Sequence, residues 1–245
     1  LRCGIMLPTA KQDMVYSRLA RRLRALGLKS FAEYCELIQS DSGIDEMGNL
    51  INAITTNLTS FFREGHHFEH LRDKMLLPLV TNQKSKRLRI WSSACSAGME
   101  PYSIAMTVRS AIKNLAAWDA RILATDIDTN MLEKGKAGEY NIDQLENIPP
   151  QYRHEITTIE KGERIRMSDE LKQLIAFKQL NLLERWPMSG LFDAVFCRNV
   201  VIYFDKNTQK TLFNRIADIM QPDGLLYIGH SENLHGVCDR FELIG

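Results

Sequence analysis

The sequence lacks most of the features that mark membrane, secreted and metal-binding proteins. It contains no apolar run near the roughly 20 residues that span a bilayer, and its start does not have the charged-then-apolar pattern of a secretory signal. Its 5 cysteines show no C-x-x-C spacing, and their odd number argues against a disulfide framework or a zinc ribbon. These absences predict a cytoplasmic protein with reduced thiols, without membrane insertion and without a bound metal.

Motifs for phosphate binding and for hydrolysis are missing as well. The G-x-G-x-x-G pattern of dinucleotide folds and the P-loop pattern are absent, which lowers the expectation of NAD(P) or ATP. A Ser-His-Glu hydrolase would need G-x-S-x-G, which is also absent. His66, His67 and His70 include an i, i+4 pair, but no H-E-x-x-H motif accompanies it, so packing or capping is a better interpretation than metal binding.

What the chain does have is the composition of an ordinary globular protein. Its 245 residues are 44% hydrophobic and 25% charged, enough for one large core or for a core with a small second domain. The chain starts at Leu1 and ends in "RFELIG", in the middle of a predicted strand. Both natural ends are therefore expected to lie outside this sequence, and a monomer is the expected state.

The first part of the chain, residues 1–60, shows helical periodicity and no convincing strand. The predicted helices are Asp13–Leu26, Phe31–Ile38 and Leu50–Leu58. We therefore expect a small N-terminal helical domain, followed by a helical linker over residues 61–86.

The first of these helices concentrates positive charge, although the net charge of the chain is only +1. Apolar residues repeat at helical spacing and are expected to face a core; they are Val15, Leu19, Leu23 and Leu26. Basic residues are expected on the opposite side; they are Arg18, Arg21, Arg22, Arg24 and Lys29. This surface is either a solvated basic face or a docking surface for an acidic partner, and the pattern alone favours neither.

From residue 87 onward, short β-rich runs alternate with helices. The runs are "RLRIWS", "ARILATD", "IAFKQLNLL", "FDAVFCRNVVIYF" and "GLLYIGH". Strands that alternate with helices imply right-handed crossovers, so residues 87–245 are predicted to form an α/β domain with a doubly wound parallel sheet. The alternation of strands and helices is interrupted at about 139–170. There "ITTIEKGERIRM" predicts a hairpin around Gly162 and hence a small inserted β-subdomain.

The loop after the first strand is small and flexible up to Met99 and then continues with Glu100 and Pro101. Ligands of an open parallel sheet bind beyond the carboxyl ends of its strands. A pyrophosphate loop would avoid a carboxylate at the helix start, where the dipole already favours a ligand anion, so Glu100 suits a neutral or cationic ligand. A plain strand-to-helix turn explains this loop in isolation about as well.

The second strand ends with "ATDIDTN", which indicates a nucleoside site. Asp126 falls where doubly wound nucleotide folds place the acid that accepts hydrogen bonds from ribose, and Asp128 is expected to cap the next helix. A ribose acid without a phosphate cradle is the combination expected for S-adenosylmethionine, which has an adenosine and a sulfonium but no phosphate.

The fourth strand delivers Arg198 and Asn199 within an otherwise apolar run. Polar residues inside a buried run cost free energy unless they are satisfied, so this interruption indicates a site. The acidic or Asn residue followed by Pro-Pro and an aromatic, typical of nucleic-acid amino methyltransferases, does not occur here. The stretch "NIPPQY" at 147–152 has an isoleucine after the asparagine and precedes the predicted hairpin, so it is not read as that motif.

Taken together, five stretches resemble the chemotaxis-receptor methyltransferases of the CheR type. They are "TTNLTSFFREGHHF", "WSSACSAGMEPYSIAM", "ATDIDTNMLEKGKAGEY", "FDAVFCRNVVIYFD" and "GLLYIGHSENL". The match is ordered and runs from about Lys11 onward. The resemblance implies a helical N-terminal domain, a methyltransferase sheet with an inserted β-subdomain, and transfer of a methyl group from S-adenosylmethionine to glutamate side chains of chemoreceptors, leaving S-adenosylhomocysteine.

The resemblance also implies roles for individual residues. The implied cofactor-binding residues are Asn57, Thr59, Arg63, Glu100, Asp126, Asn181, Leu182, Arg198 and Asn199. Among them, Asp126 would take the ribose, while Asn181 and Leu182 would flank the adenine. Arg63 and Tyr203 are the implied catalytic residues beside the acceptor glutamate. Standing alone, Arg63 would be read as a surface ion pair with Glu64 or Glu69.

Further roles follow from the same resemblance. Asn57 and Thr59 are implied at the methionine end of the cofactor or the reaction centre, and Arg198 and Asn199 at the pocket floor. His230 and Glu232 of "GHSENL" are expected to brace the edge of the site. The chain departs from the family pattern at Met99, where an acid often precedes Glu100, and it lacks the closing strand of the sheet.

The implied partners are the acidic methylation helices of chemoreceptors. They would dock on the basic residues Arg18, Arg21, Arg22 and Arg24. In some relatives the inserted β-subdomain would tether a receptor tail, but the short turn around Gly162 makes a tail peptide a weak expectation here. Two alternative functions stay open. The first is a methyltransferase of another acceptor such as RNA, which would bind nucleic acid with an affinity that falls steeply as salt rises. The second is a non-catalytic S-adenosylmethionine sensor, which would need neither Arg63 nor Tyr203.

Overall fold

The structure is a computed structural model that describes residues 12–40, 43–82 and 86–244. The N-terminal part is all-helical, as predicted, and its helices are α1 (Gln12–Leu26), α2 (Phe31–Gln39) and α3 (Ile44–Ile54). Helices α1 and α2 pack against α3. Ser30 caps α2, because its hydroxyl oxygen accepts the Glu33 N–H at 3.2 Å.

Two of the arginines of α1 face α3 rather than solvent, which corrects the predicted arrangement. Arg18 donates to the carbonyl of Ala53 at 3.2 Å, near the last turn of α3. Arg22 donates from Nε and Nη2 to both carboxylate oxygens of Glu46 at 2.6 Å. Helix α1 packs closely enough on α3 that a long arginine side chain reaches its polar groups, which a simple two-faced helix pattern does not anticipate.

The remaining residues of the basic patch stay on the surface. Arg21, Arg24 and Lys29 are exposed. Leu23 is buried as predicted, whereas Leu26 is 37% exposed and does not face the core.

The third helix begins and ends earlier than predicted. It covers Ile44–Ile54 instead of Leu50–Leu58, and the chain continues without regular structure to residue 60. Thr55 Oγ1 and Asn57 Nδ2 both donate to the Asp128 carboxylate, at 2.7 and 2.8 Å. These tertiary hydrogen bonds take the place of further helical turns, and they leave Leu58 81% exposed.

The segment predicted as a helical linker contains α4 (His66–His70), a π-helical turn and α5 (Leu77–Asn82). Phe68, Leu71 and Leu76 of this segment are buried against the larger domain.

The larger domain contains all of the strands in the described ranges. They are β1 (Arg87–Ser92), β2 (Asp119–Asp126), β3 (Glu139–Asn141), β4 (Ile156–Ile159), β5 (Arg164–Met167), β6 (Ile175–Gln179), β7 (Phe192–Cys197) and β8 (Met220–Ile228). Its helices are α6 (Met99–Ala111), α7 (Thr129–Ala137), α8 (Asp169–Leu174) and α9 (Lys206–Asp218).

Five strands form a parallel sheet in the order β6-β2-β1-β7-β8, which confirms the predicted fold class. Successive residues of β1 point to opposite faces: Ile90 packs in the core with Tyr102 of α6, and Trp91 in the core with Phe213 of α9. Both faces are therefore covered by helices, which explains why the strands read as continuous apolar runs. The strand order reverses between β1 and β7, the position at which such sheets bind ligands.

The fourth predicted strand is shorter than its apolar run. Strand β7 ends at Cys197, and residues 201–203 form a 3-10 turn. Asn199 has a φ of 57°, and the N–H groups of Asn199 and Val201 donate to Glu232. Because these N–H groups are taken by a side chain, they cannot continue the ladder.

The interruption predicted at about 139–170 is a small antiparallel sheet in the order β3-β5-β4. The turn between β4 and β5 spans Glu160–Gly162, so the predicted hairpin is confirmed. Strand β3 was not predicted; it pairs with β5 through Glu139 and Arg166, which also form an ion pair. A three-residue strand is too short for a period of two to be recognised in the sequence.

Within the described part of the chain, no helix has the length and apolar character needed to cross a membrane. Cys3 lies outside the described residues, and the other cysteines, Cys35, Cys95, Cys197 and Cys238, are free. Burial raises the pKa of Cys197 to about 12, which fits an inert core thiol.

Candidate cofactor and acceptor site

A cleft lies at the carboxyl edge of the parallel sheet, between that edge and the 55–63 segment. Every residue for which the resemblance implies a cofactor or catalytic role lines it. These residues are Asn57, Thr59, Arg63, Glu100, Asp126, Asn181, Leu182, Arg198, Asn199 and Tyr203. The structure thus brings together side chains that are far apart in the sequence, while the role of each stays a prediction.

Asp126, at the end of β2, is the buried acid of the cleft, with 8% of its surface exposed. One carboxylate oxygen accepts the Ser96 N–H at 2.7 Å, and the other accepts the Asp128 N–H at 2.9 Å. Burial raises the pKa of Asp126 above its usual range, although the two backbone N–H groups oppose this rise. The carboxylate is therefore rigidly placed and keeps acceptor capacity for hydroxyl groups in the cleft.

Ser96 belongs to the loop between β1 and α6, and sequence reasoning gave it no role. Its φ of 47° lies in the left-handed region, which turns its N–H towards Asp126. Gly98 in the same loop has a φ of 87°, and a Cβ there would lie 2.8 Å from the Gly135 Cα. The glycine is thus required for close approach to α7, and no local sequence signal identifies the conformation of Ser96.

Asp128 caps α7, as predicted, and also binds the N-terminal segment. One oxygen accepts the N–H groups of Asn130 and Met131, and the other accepts Thr55 Oγ1 and Asn57 Nδ2. Asn57 therefore lines the cleft while its amide donates to Asp128. This carboxylate links the end of the helical domain to the loop that holds Asp126.

Glu100 is ion-paired rather than isolated at the start of α6. Its carboxylate accepts Ser92 Oγ at 2.7 Å and Arg198 Nη1 at 2.9 Å. Arg198 also lies 3.2 Å from the Glu64 carboxylate, with only 2% of its side chain exposed. Glu64 and Glu100 together compensate this buried guanidinium, and of the two carboxylates Glu100 is the one that lines the cleft.

Arg63 lines the cleft without an acidic partner. Its Nη1 donates to the Leu58 carbonyl at 3.0 Å, and none of the ion pairs among residues 12–40, 43–82 and 86–244 includes it. The alternative of an ion pair with Glu64 or Glu69 is therefore wrong. Tyr203 reaches the same cleft from the 3-10 turn after β7.

The β6 side of the cleft is formed by Leu180, Asn181 and Leu182. Asn181 Oδ1 accepts the Leu183 N–H at 3.0 Å, which fixes the loop, and Leu182 is buried. Leu180 follows the strand directly and was not singled out in the sequence, although a flat apolar wall is what an adenine ring requires.

Glu232, after β8, holds the turn that carries Asn199 and Tyr203. Its carboxylate accepts the N–H groups of Asn199, Gly229 and Val201 at 2.9, 2.7 and 3.1 Å. Burial raises its pKa, against the effect of these N–H groups. The expected bracing role of Glu232 thus has a geometric basis.

The histidines near the cleft are packed against aromatic rings and other side chains. His70 Nδ1 lies 3.1 Å from the Tyr227 hydroxyl, and the ring of His67 lies beside Tyr227. Burial and the nearby Arg198 charge lower the pKa of His67 to about 4, so it is neutral at pH 7. In the described ranges, no group of three or more His, Cys, Asp or Glu side chains has the arrangement of a metal site.

A doubly wound parallel sheet with a buried acid at the end of β2, a carboxylate at the start of α6 and, in the described part of the chain, no phosphate cradle defines a methyltransferase of the S-adenosylmethionine-dependent class. The model of the family "CheR methyltransferase, SAM binding domain" matches residues 57–245, and that of "CheR methyltransferase, all-alpha domain" matches residues 1–55. The chain belongs to the CheR methyltransferase family.

Curated relatives agree with this assignment. The chain is 46% identical to a probable chemotaxis protein methyltransferase of Rhizobium etli, over 99% of this chain and 92% of the relative. It is 44% identical to a chemotaxis protein methyltransferase of Escherichia coli strain K12, over 100% of this chain and 84% of the relative. Among solved structures, the chain is similar to PKMT2 from Rickettsia typhi in complex with AdoHcy, with 15% identity and a TM-score of 0.38 over 58% of this chain and 21% of that chain. This similarity is too distant to bear on function.

These matches confirm the predicted enzyme class, an S-adenosylmethionine-dependent methyltransferase, and the predicted cofactor. The geometry fits that cofactor, because Asp126 is buried at the back of the cleft and Glu100 lies at its floor.

Proposed function

We propose that the protein methylates glutamate side chains on the cytoplasmic helices of chemoreceptors, as part of chemotactic adaptation. The observation that carries this proposal is Arg63, a guanidinium that lines the cofactor cleft without a carboxylate partner among the described residues. A cation in this position suits an anionic acceptor, and its planar fork can orient a carboxylate. The names of the relatives, chemotaxis protein methyltransferases, support a chemoreceptor as the source of that carboxylate.

The reaction needs alignment rather than proton removal. A glutamate has an unperturbed pKa of about 4.3, so the acceptor is already ionised at neutral pH and no general base is required. When bound, S-adenosylmethionine supplies an electrophilic methyl group on a sulfonium. Arg63 and Tyr203 would hold the acceptor carboxylate in line with that methyl group and help to exclude water. Arg63 must not hold it too tightly, because ground-state stabilisation would slow transfer.

The test is transfer of labelled methyl from S-adenosylmethionine to chemoreceptor-containing membranes, followed by mild base. We expect label in a receptor band and its release by base as methanol, because carboxyl methyl esters hydrolyse and N-methyl groups do not. Label that survives base would contradict an ester. Absence of label despite measured cofactor binding would contradict a chemoreceptor acceptor, and would favour another acceptor or a sensor.

The exposed arginines of α1 are expected to contribute to docking of the acidic acceptor helices. Charge reversal at Arg21 and Arg24 should raise KM for receptor membranes by about tenfold, since each removes an attraction and adds a repulsion at a largely solvated surface. The effect should shrink as salt rises. Arg22 is unsuited to this test, because its charge is paired with Glu46.

Lys113→Glu with Arg121→Glu is the matched control for this prediction. Both residues are exposed and lie near the end of α6 and the start of β2, at the edge of the sheet opposite the cleft. Calorimetry should show the same S-adenosylmethionine affinity for both double variants. An unchanged KM in the Arg21/Arg24 variant, or an equal rise in the control, would contradict docking on α1.

Cofactor affinity should decline in mild acid because of Asp126. The folded-state pKa of this group is raised by burial, so it becomes protonated at a higher pH than an aspartate of ordinary pKa 3.8. The ionised form is the stronger acceptor for two ribose hydroxyls, and protonation turns one of its acceptor oxygens into a donor, so affinity is constant above the raised pKa and falls by up to about tenfold per pH unit below it. Calorimetric titration from pH 7 to pH 4, with circular dichroism to check the fold, measures this; a pH dependence no steeper than that of Asp126→Asn would contradict the assignment.

A further inference from the structure

Glu64, next to Arg63, occupies a strained and half-buried turn. Phe62 and Glu64 have φ values of 50° and 56°, in the left-handed region that residues other than glycine rarely adopt. Only 11% of the Glu64 side chain is exposed. Strain of this kind persists where surrounding contacts hold it, and it clusters at functional sites.

The Glu64 carboxylate supplies such contacts to two other loops at the cleft. One oxygen accepts His230 Nδ1 at 2.9 Å, and the other accepts the His230 backbone N–H at 3.2 Å. Arg198 Nη2 lies at 3.2 Å, and Asn199 Nδ2 lies at 3.5 Å. The segment before α4, the turn after β7 and the loop after β8 therefore meet at one side chain.

Arg198 extends this connection to the main chain of Arg63. Its Nη2 donates to the Arg63 carbonyl, while its Nη1 donates to Glu100. The Nε of Arg198 has no hydrogen-bond partner within the described residues, so the two Nη groups provide the compensation for burying this cation. Loss of the Glu64 carboxylate would leave Nη2, which holds the Arg63 carbonyl, without its charge partner, while Nη1 would stay paired with Glu100.

The Glu64 carboxylate is ionised at neutral pH. Burial opposes its ionisation, but the hydrogen bond from His230 and the charge of Arg198 outweigh burial and lower the pKa of Glu64 to about 2. An ionised carboxylate beside a buried guanidinium gives directional, charge-assisted contacts.

We propose that Glu64 is a positioning residue, which acts through Arg198 to fix Arg63 over the acceptor carboxylate and so sets the rate of methyl transfer rather than cofactor affinity. The role rests on the proposed function of the same cleft. Glu64 itself does not touch the reacting atoms: its carboxylate faces Arg198 and His230. A misplacement of about 1 Å at a reacting group costs on the order of 100-fold in rate, so a modest shift of Arg63 is enough to be measured.

The test compares Glu64→Gln with Glu69→Gln in the full chain. Glu69 is an exposed acid on the neighbouring helical turn, so the control removes the same charge without touching the cleft. For Glu64→Gln we expect kcat to fall by about 10- to 100-fold at a temperature well below its Tm, with the calorimetric Kd for S-adenosylmethionine changed less than about threefold. Glu64→Asp, which keeps the charge on a shorter side chain, should recover part of the rate and also serves if Glu64→Gln is poorly folded.

A double-mutant cycle with Arg63→Lys separates positioning from a merely structural role. If Glu64 acts through Arg63, Glu64→Gln should lower kcat far less in the Arg63→Lys background than in the wild type. Equal losses in both backgrounds, or unchanged kcat in the single variant, would overturn the proposal. The wild type is assayed in parallel. If the wild type gives no base-labile label, the proposed function fails and the positioning role fails with it. If the wild type is active and Glu64→Gln has the same kcat, the positioning role alone is overturned.

Discussion

Alanine in place of Arg63 should lower kcat for methyl transfer by on the order of 100-fold, because the acceptor carboxylate loses the side chain that orients it towards the methyl group. The expected loss follows from the geometry. The guanidinium lines the cleft and, among residues 12–40, 43–82 and 86–244, donates to the Leu58 carbonyl alone, so it is available to an acceptor carboxylate. Arg63→Lys should recover only part of the rate, because an ammonium keeps the charge but loses the planar fork. Steady-state transfer to receptor membranes measures both.

Arg121→Ala is the control for this variant, since Arg121 is exposed at the far edge of the sheet and, within the described part of the chain, donates to its neighbour's carbonyl alone. Arg63→Ala should retain the thermal unfolding midpoint to within a few degrees, because no buried ion pair is lost. Its calorimetric affinity for S-adenosylmethionine should change by less than about tenfold, since most of the cofactor surface contacts other residues. Full turnover in Arg63→Ala would contradict the assignment of this residue to the reaction centre.

Alanine in place of Asp126 should weaken S-adenosylmethionine binding by about 100-fold or more, below the range of routine calorimetry. Each hydrogen bond to a charged group contributes about 1.5 to 3 kcal/mol, and a ribose presents two hydroxyls to this carboxylate. The side chain also accepts the N–H groups of Ser96 and Asp128, so its loss releases the loop between β1 and α6. Both effects weaken the binding of S-adenosylmethionine.

Asp126→Asn separates the two contributions. The amide keeps one acceptor oxygen at the same distance but no charge, and should lose less affinity than alanine. Asp143→Asn, at an exposed position in the inserted segment, should bind normally. Normal affinity in Asp126→Ala, with the fold verified by circular dichroism, would refute the ribose assignment and would also remove the basis for the expected acid dependence.

The fold was predictable wherever a residue pattern had a single structural solution. The strands β1 and β2 were placed within a few residues, because apolar runs bounded by loops and helices leave few alternatives in a doubly wound sheet. The errors fell where tertiary hydrogen bonds replaced local ones. Thr55 and Asn57 end α3 by bonding to Asp128, and Glu232 ends β7 by taking the Asn199 and Val201 N–H groups.

The candidate site was predictable as a set of residues but not as a network. The resemblance pointed to Arg63, Glu100, Asp126 and Arg198, and all of them line one cleft. No pattern indicated that Arg198 is shared between two carboxylates, or that Glu64 turns away from its neighbour Arg63. Such pairings join positions more than 90 residues apart, and a sequence without aligned relatives carries no signal for them.

The sequence by itself determined the class of the protein: an all-helical N-terminal part, a parallel sheet with an inserted hairpin, and a site for a nucleoside cofactor without phosphate. These properties follow from periodicity, composition and motif, which are local in the chain. The tertiary structure decided which charged side chains form ion pairs within the protein and which stay available to a ligand. Arg22 is taken by Glu46, whereas Arg63 remains open to the cleft. That division depends on which side chains meet in space, because a buried charge must find its partner wherever the packed chain places one.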